Sequence, residues 1–346
     1  MNARLYDPIT SRTLSPDNYV ADADATQAYN RYSYCHNNPM KYIDPDGNEP
    51  ITVAIIIGAA IGAYMGGTLA NGSYNPGNWD FSSGRTWGYM LGGALVGGLS
   101  GGASAWIAKS GVAFANTHAI IVGSAMSSTG TFMYTGGQTN LSLSIGAASL
   151  SMGSNGMTLG HLGKKGNSLL QNLGYGFGAM ANVQDLFAGN NGGSVDVKAR
   201  KDISGHSWVE GDDINISVGP GGVDLKPNDT GLIWESQYLF RTVKGINFVT
   251  RYKTKDVFST KLNNVNVSSL KEMTKNLNNG RSLSDSHSLY YGVWNGCVNQ
   301  SSRALLYSGV FTLNAFLPIT SPVFLNAELA IRNYGMLFSH NMLMKP

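Results

Sequence analysis

The sequence is poor in charge and in cofactor signatures. Charged residues make up 13% of its 346 residues, about half the share that is usual in soluble proteins. The formal net charge is only +3, which gives no electrostatic basis for binding nucleic acid. There is no glycine-rich dinucleotide fingerprint between a strand and a helix, and no phosphate-binding loop. We therefore expect neither a nucleic-acid partner nor a cofactor.

Cysteine is also scarce, which argues against a disulfide scaffold. Cys35 and Cys297 lie in segments of different character, so we predict no disulfide. His118, His161 and His340 are not spaced from one another or from a cysteine as metal ligands are, so we predict no metal site. The polar first residues predict no N-terminal signal peptide. Export would then depend on a dedicated secretion machine or on an upstream part of the protein.

Glycine is abundant, with 44 residues, and it is concentrated in an apolar middle region. Two uncharged runs, residues 51–70 and 86–108, are each about as long as a membrane-spanning helix. They predict a helical hairpin. The charged residues between positions 51 and 163 are Asp80, Arg85 and Lys109.

The glycines of the two runs recur at every fourth position, which puts them on one face of each helix. Small residues at this spacing let two helix backbones approach closely. The hairpin is suited either to insertion in a membrane or to burial inside a larger shell, and both interpretations stay open. The glycines concerned are Gly58, Gly62 and Gly66 in the first run and Gly93, Gly97 and Gly101 in the second.

Residues 129–160 alternate apolar and small polar side chains, which predicts two or three β-strands. Residues 161–189 predict a short helix capped by Asn167. A linker signal at residues 190–193 predicts a domain boundary. In the strand region Leu141, Leu143 and Ile145 would share one face, and in the helix the apolar face would be Leu169, Leu170, Leu173, Phe177 and Met180.

The first fifty residues contain a dense series of proline turns separated by aromatic residues. This segment resembles the last part of an RHS/YD-repeat core, which closes the β-cage of polymorphic toxins. The turns are Arg4-Leu5-Tyr6-Asp7-Pro8, Leu14-Ser15-Pro16-Asp17, Asn37-Asn38-Pro39 and Asp44-Pro45-Asp46-Gly47.

The RHS resemblance implies that the rest of the chain is a variable cargo, often a toxin effector used in interbacterial competition. It also implies delivery by secretion or at a cell surface. The expected partners are a cognate immunity protein and an RHS shell or secretion machinery. Family cores end in a motif at which the cargo is cut free. Asp44 and Gly47 match it, but Asn48 stands where leucine is usual, so no self-cleavage residues are assigned.

The C-terminal region pairs a strand histidine with a cysteine at a helix start. Residues 203–210 predict a strand bearing His206, and a second strand follows over residues 214–218. A helix is predicted after Cys297, with Asn295 as its N-cap and Gly309 as its C-terminal stop. The first turn of a helix favours the nucleophilic thiolate, and a neighbouring histidine can take the thiol proton. The same backbone N–H groups can stabilise an oxyanion.

This arrangement, over about residues 196–310, resembles circularly permuted papain-like thiol enzymes of the NlpC/P60 or LRAT type, in which the histidine strand precedes the cysteine helix. The resemblance implies Cys297 as the nucleophile and His206 as the general base. The family orients its histidine with a polar residue on the next strand, and either Ser217 or Asn215 could serve. Asn295 could help to polarise the substrate carbonyl. An alternative base is His287.

We therefore predict an α+β protein, in which a glycine-rich helical hairpin precedes a permuted papain-like domain with an antiparallel sheet packed on a cysteine-bearing helix. The predicted function is an RHS-type toxin cargo that attacks an amide, ester or thioester bond. One alternative is a membrane-disrupting or pore-forming effector acting through residues 51–108, and another is a non-catalytic surface binding tip. The predicted domains are residues 1–49 (RHS core segment), 50–125 (hairpin), 126–192 (small β-region and linker helix) and 193–346 (thiol-hydrolase domain).

A last helix is predicted from about residue 325 to 338. It would pack beside the cysteine helix, or residues 311–346 would form the wall of a groove for an acyl or lipid substrate.

Overall fold

The computed structural model describes residues 6–7, 12–13, 50–154, 156–201, 205–221, 242–249, 257–284, 287–318 and 321–345. The chain divides into two compact units, residues 1–53 and 54–346. Within the first unit, strands β1 (Tyr6–Asp7) and β2 (Arg12–Thr13) pair antiparallel. The other residues of the RHS-like segment, including Asp44 and Gly47, lie outside the described residues.

Four helices and a three-stranded antiparallel sheet follow in the chain, and we call them, together with the final helix α7, the helical part. The predicted hairpin is confirmed, because two long helices cover both apolar runs. The elements are α1 (Pro50–Asn71), α2 (Gly84–Lys109), α3 (Ala115–Tyr134), β3 (Leu141–Ile145), β4 (Ala148–Gly153), β5 (Gly156–His161), α4 (Leu169–Ala188) and α7 (Pro322–Met342).

The predicted glycine contact between α1 and α2 is confirmed. A methyl group at Gly62 would lie 2.0 Å from the carbonyl oxygen of Gly93, and one at Gly97 would lie 2.2 Å from that of Gly58. These distances are far shorter than van der Waals contact, so only glycine allows the two backbones to lie this close. Gly101, on the same face, contacts the ring of Phe338 in α7.

The prediction of strand structure for residues 129–134 is wrong, because α3 continues to Tyr134. The buried face of α3 carries hydroxyl groups, including those of Ser124, Ser127 and Thr131. The Ser127 hydroxyl donates a hydrogen bond to Oδ1 of Asn341 in α7, at 2.7 Å. Since this face is polar, the apolar periodicity that identifies most helices is missing here.

Strands β3, β4 and β5 confirm the strand prediction for the following residues. The alternation is also confirmed, but the serine side faces the helices. The backbone N–H of Ser144 donates to the Ser124 hydroxyl at 2.9 Å, and Ser144 is buried. The apolar residues of the other face, such as Leu143 and Ile145, are exposed.

Helix α4 begins one residue later than predicted, with Ser168 rather than Asn167 as its N-cap. The predicted apolar face is wrong for Leu169, which is 78% exposed, and for Leu173, which is also exposed, whereas Phe177 and Met180 pack against a buried cluster. Small residues form a further contact, with the turn between β3 and β4. A methyl group at Gly178 would lie 2.0 Å from the carbonyl oxygen of Gly146. The buried side of α4 is therefore the one whose glycine lets the helix lie close to a neighbouring backbone.

The C-terminal part, which we call the sheet part, consists of antiparallel strands packed against helices. Strand order is β11-β6-β7-β8 in one sheet and β12-β10-β9 in the other. Together with the helical part, it confirms the predicted α+β class. The elements are β6 (Gly193–Arg200), β7 (Ser207–Gly211), β8 (Ile214–Ile216), β9 (Val218–Pro220), β10 (Val243–Asn247), β11 (Val257–Val265), α5 (Val267–Asn278), β12 (Tyr290–Tyr291) and α6 (Cys297–Tyr307).

Helix α7 is shared by both parts. Its first half buries Leu325 and Leu329 in the core of the sheet part, where the inward residues of the strands meet α5 and α6. Its second half buries Phe338 against the glycines of α1 and α2. The predicted helix over residues 325–338 is confirmed and is longer than expected.

A buried histidine in the second half of α7 makes the stability of the helical part depend on pH. His340 is completely buried, and this desolvation lowers the pKa of its imidazole to about 3. An exposed histidine in the unfolded chain titrates near pH 6.5. Between these two values the unfolded state binds one more proton than the folded state, so this stability is fully present above pH 6.5 and falls with pH.

We expect the free energy of unfolding to decrease by about 2 kcal/mol between pH 6.5 and 5 from this group alone. His340→Gln removes the titration and should flatten that slope in urea unfolding curves. His161→Gln, at an exposed position, is the matched control. An unchanged slope in His340→Gln would contradict the assignment.

Candidate active site at the start of helix α6

Cys297 lies in the first turn of α6, as predicted, and is the first residue of this helix; its thiol is reduced and 5% exposed. The predicted cap is wrong: Gly296, not Asn295, is the N-cap residue, and it has no side chain to bond the first turn. The first N–H groups of a helix have no partner within it. Cys297 stands in this first turn. The predicted stop at Gly309 is confirmed by its φ of +92°, in the residue after the last turn.

Asn295 has a different local role from the predicted cap. Its Oδ1 accepts a hydrogen bond from Nη1 of Arg303 at 2.7 Å. Arg303 lies on α6, so this bond ties the residue before the cap to the body of the helix. The amide nitrogen of Asn295 is then the end of the side chain that can donate to a ligand.

Helix α6 packs across β7, β8 and β9. The hydroxyl of Ser301 donates to the backbone carbonyl of Ser207 at 3.3 Å. Ser301 follows Cys297 by four residues and shares its side of the helix. Cys297 therefore lies about 6 Å along the helix axis from this contact, and Ser207 directly follows His206 in the chain.

A hydrogen bond and two aromatic rings hold His206 in place. Its Nε2 lies 2.7 Å from the Ser217 hydroxyl. The imidazole stacks on Phe248, with ring centroids 5.1 Å apart, and on Trp208, with centroids 5.9 Å apart. The side chain is only 2% exposed. The orientation of the imidazole is thus fixed by two aromatic contacts and by the hydrogen bond at Nε2.

Of the two residues expected to orient the histidine, the structure brings Ser217 to it and not Asn215. Ser217 stands between β8 and β9, where the strand passes from one sheet to the other. The Asn215 side chain donates to the backbone carbonyl of Phe248 at 3.0 Å. Asn215 therefore supports the backbone of the residue whose ring stacks on the imidazole.

Asn247, on β10, is a supporting residue that the sequence did not suggest. Its Oδ1 accepts from the backbone N–H of Ser217 at 2.8 Å, and its Nδ2 donates to the carbonyl of Asn215 at 2.8 Å. This side chain replaces the strand hydrogen bonds that are lost at the break between β8 and β9. It thereby fixes the position from which Ser217 reaches His206.

A charged pair fixes the second aromatic ring. Nε1 of Trp208 donates to Oε2 of Glu210 at 2.7 Å. Glu210 also pairs with Lys198 on the neighbouring strand β6. His206, Trp208 and Glu210 thus lie along one side of the strand, as predicted from their alternate positions.

The segment after α6 runs beside the helix start. Nδ2 of Asn299, in the first turn, donates to the backbone carbonyl of Leu317. Trp294, three residues before Cys297, is an exposed apolar side chain. Leu317, which this bond ties to the first turn, and its neighbour Phe316 are also exposed. The segments next to the start of α6 therefore carry exposed apolar side chains.

The remaining candidates do not join this cluster. His287 is exposed in the connection that leads to β12. His118 and His161 are exposed positions of the helical part, and His340 is buried there. Within the described ranges, no three His, Cys, Asp or Glu side chains come together as a metal site would require.

Neither a family model nor a solved structure matches the chain. A stretch of 106 residues is 40% identical to salivary gland surface protein 1 of Aedes aegypti. This match covers 30% of the chain and 3% of the mosquito protein. The similarity therefore concerns a small piece of a much longer relative.

Proposed function

We propose that the protein is a cysteine hydrolase or acyltransferase in which Cys297 is the nucleophile and His206 the general base. The observation that carries the proposal is the hydrogen bond between Nε2 of the buried His206 and the Ser217 hydroxyl, on a strand against which the cysteine helix packs. With Nε2 engaged by Ser217, Nδ1 is the nitrogen that takes the thiol proton. Ser217 is then a positioning residue, because it acts through the imidazole.

The proposed reaction is acyl transfer in two steps. The thiolate attacks the carbonyl carbon of an amide, ester or thioester, while first-turn N–H groups of α6 and the Asn295 amide stabilise the oxyanion. The carbonyl re-forms as the bond to the leaving group breaks, and the imidazolium returns the proton to that group. Water or another acceptor then attacks the acyl-enzyme with His206 as base. Because both side chains are almost completely buried, substrate entry requires a local opening.

The order of elements supports the permuted papain-like interpretation, since the histidine strand precedes the cysteine helix and the sheet is antiparallel. The apolar side chains beside the site favour an acyl or lipid substrate over a strongly charged one. We propose further that this enzyme is the cargo of an RHS-type polymorphic toxin, on the turn motifs of residues 4–47. This implies secretion or surface delivery, a shell or secretion machinery, and an immunity protein. The mosquito relative is itself named a surface protein.

Growth of bacteria that express the full chain in the cytoplasm or periplasm tests the proposal. We expect wild type to arrest growth, and Cys297→Ala and His206→Ala to restore it, because loss of a nucleophile or its base lowers turnover by about a thousandfold or more. Ser217→Ala should keep partial toxicity, since one neutral hydrogen bond contributes about tenfold. His287→Ala and His161→Ala are matched controls and should remain toxic.

Equal growth of wild type and Cys297→Ala, with both proteins folded, would overturn the thiol mechanism. If both arrest growth, the second candidate gains: a membrane-disrupting effector acting through residues 51–108. The observation that favours it is the row of exposed leucines on α2. Dye release from liposomes by the full chain carrying Cys297→Ala measures it directly. If no variant is toxic in either compartment, a non-catalytic binding tip is the remaining function.

A further inference from the structure

Helix α2 carries its charges only at its two ends. Arg85 is its second residue and Lys109 its last, and both are cationic. Just inside them lie two exposed tryptophans, Trp87 and Trp106. Tryptophan and basic residues at both ends of an apolar helix are typical of helices that cross a bilayer, where they sit at the two polar interfaces.

Between the tryptophans the outer side of α2 carries three leucines. We call Trp87, Leu91, Leu95, Leu99 and Trp106 the outer row, and each of them is 50–70% exposed. At 3.6 residues per turn, these five positions fall within an arc of about 120°. They therefore form one continuous apolar face and not scattered exposed residues.

The length of the outer row matches a bilayer. Trp87 and Trp106 are 19 residues apart, which corresponds to about 28 Å along a helix axis. The hydrocarbon core of a bilayer is about 30 Å thick. By length and composition, α2 and residues 51–71 of α1 are both apolar enough to cross a membrane.

The inner side of α2 has the opposite character. Its buried residues are glycine, alanine, serine and threonine, and no large apolar side chain is among them. The Ser104 hydroxyl donates to the backbone carbonyl of Ala119 in α3 at 3.0 Å. A helix of a water-soluble protein buries its large apolar residues, whereas membrane helices pack on small residues and bond hydroxyls between helices.

We propose that the outer row of α2 contacts the hydrocarbon of a phospholipid bilayer, with the helix axis across the membrane. Arg85 and Lys109 then lie at the two headgroup layers, where their positive charges meet lipid phosphates. The contact is independent of the thiol chemistry, because none of its residues belongs to the candidate active site. It assigns a lipid surface as partner to this face of the helical part.

Binding of the full chain to vesicles of mixed neutral and anionic phospholipid tests this contact, with Cys297→Ala in every sample so that enzymatic activity plays no part. Leu95→Arg places a charge at the centre of the outer row and should weaken partitioning by about a hundredfold. Phe324→Arg, at an exposed position of the sheet part, should leave partitioning unchanged. Equal circular dichroism spectra would show that both variants are folded.

Depth measurements test the transverse orientation. With Cys35→Ser added, an environment-sensitive fluorophore is attached to the thiol of Trp87→Cys, Leu95→Cys or Trp106→Cys in turn, and its fluorescence is quenched by lipids labelled at different depths. We expect the deepest quenching at position 95 and shallow quenching at both ends. Equal depth at all three positions, or no partitioning of the parent protein, would overturn the proposal.

Discussion

Gly93→Ala is expected to destabilise the protein by about 3 kcal/mol or more, whereas Gly88→Ala, five residues earlier in the same helix, is expected to stabilise it. A methyl group at Gly93 would lie 2.1 Å from the Gly62 carbonyl oxygen and 2.9 Å from its carbon. These are backbone atoms, so the collision is relieved only by separating α1 from α2. At Gly88 nothing lies within 4 Å of the new methyl group.

Both substitutions replace glycine by alanine inside α2, and they differ in whether the new methyl group meets another helix. Replacing glycine by alanine in an exposed helix position contributes about 1 kcal/mol of helix propensity. Gly88→Ala gains this contribution, and Gly93→Ala gains it but loses the contact of two helices. Urea unfolding of the full chain measures both. Similar stability of the two variants would show that the hairpin tolerates a wider separation.

A double substitution gives a sharper test of the same contact. Gly62→Ala should be as damaging as Gly93→Ala, since its methyl group would lie 2.0 Å from the Gly93 carbonyl oxygen. Once one methyl group has separated the helices, the second costs little. The double variant should therefore be much more stable than the sum of the single effects implies. Strict additivity would indicate two unconnected sites.

The hairpin could be predicted from the sequence because its contact is encoded locally. Glycine at every fourth position marks one helix face. The face that packs against it is a glycine face of the same kind on the other helix. The cysteine helix was equally accessible, since Gly309 marks its end. Its beginning was missed by one residue because Asn295 has the better capping side chain, and tertiary packing set the start at Gly296.

The packing of the helical part was harder to predict, because polar residues lie on buried faces and apolar residues on exposed faces. Serine and threonine fill the buried face of α3, and leucines lie on the exposed side of α4. A pattern rule that assigns apolar residues to the interior gives the wrong face in such a region. Close backbone approach at Gly178 and hydroxyl bonds such as Ser127 to Asn341 decided the packing instead.

At the candidate site, the two principal residues could be chosen from local patterns, but their support could not. Asn247, the last residue of β10, and Phe248, which follows it, lie about thirty residues after Ser217 in the chain and bear no signal of their own. Their importance follows from strand pairing, which brings Asn247 opposite Val218. The choice between Ser217 and Asn215 depended on the same pairing.

Asp185→Ala is expected to have a comparably large effect, because one buried carboxylate joins three elements. Asp185, in α4, is completely buried. Its Oδ1 accepts from Nδ2 of Asn116 at 2.9 Å and from Nδ2 of Asn264, and its Oδ2 accepts from the backbone N–H of Thr117 at 2.6 Å. The first and third donors belong to the opening turn of α3, so the carboxylate caps that helix from outside.

The network continues from α4 into α7 and the sheet part. Gln184 directly precedes Asp185 in α4. Its Nε2 donates to the backbone carbonyl of Asn263 in β11 at 2.6 Å, and its Oε1 accepts a hydrogen bond from Arg332 in α7. Desolvation lowers the pKa of the buried Arg332 to about 10, while the charge of Glu328 raises it. The guanidinium is therefore still protonated at neutral pH. These side chains connect the helical part to the sheet part.

Removing the Asp185 carboxylate leaves three donors without an acceptor, and each unsatisfied buried group costs about 1–3 kcal/mol. We expect Asp185→Ala to lose at least about 3 kcal/mol in urea unfolding, and Asp185→Asn to lose less, because its Oδ1 still accepts. Asp212→Ala, at a side chain that is 98% exposed, should show no measurable change. Because the carboxylate joins α3, α4 and β11, the loss should lower the unfolding midpoint of the helical and sheet signals together. A loss confined to α3 would mean that the cap is local and does not couple the helical part to the sheet part.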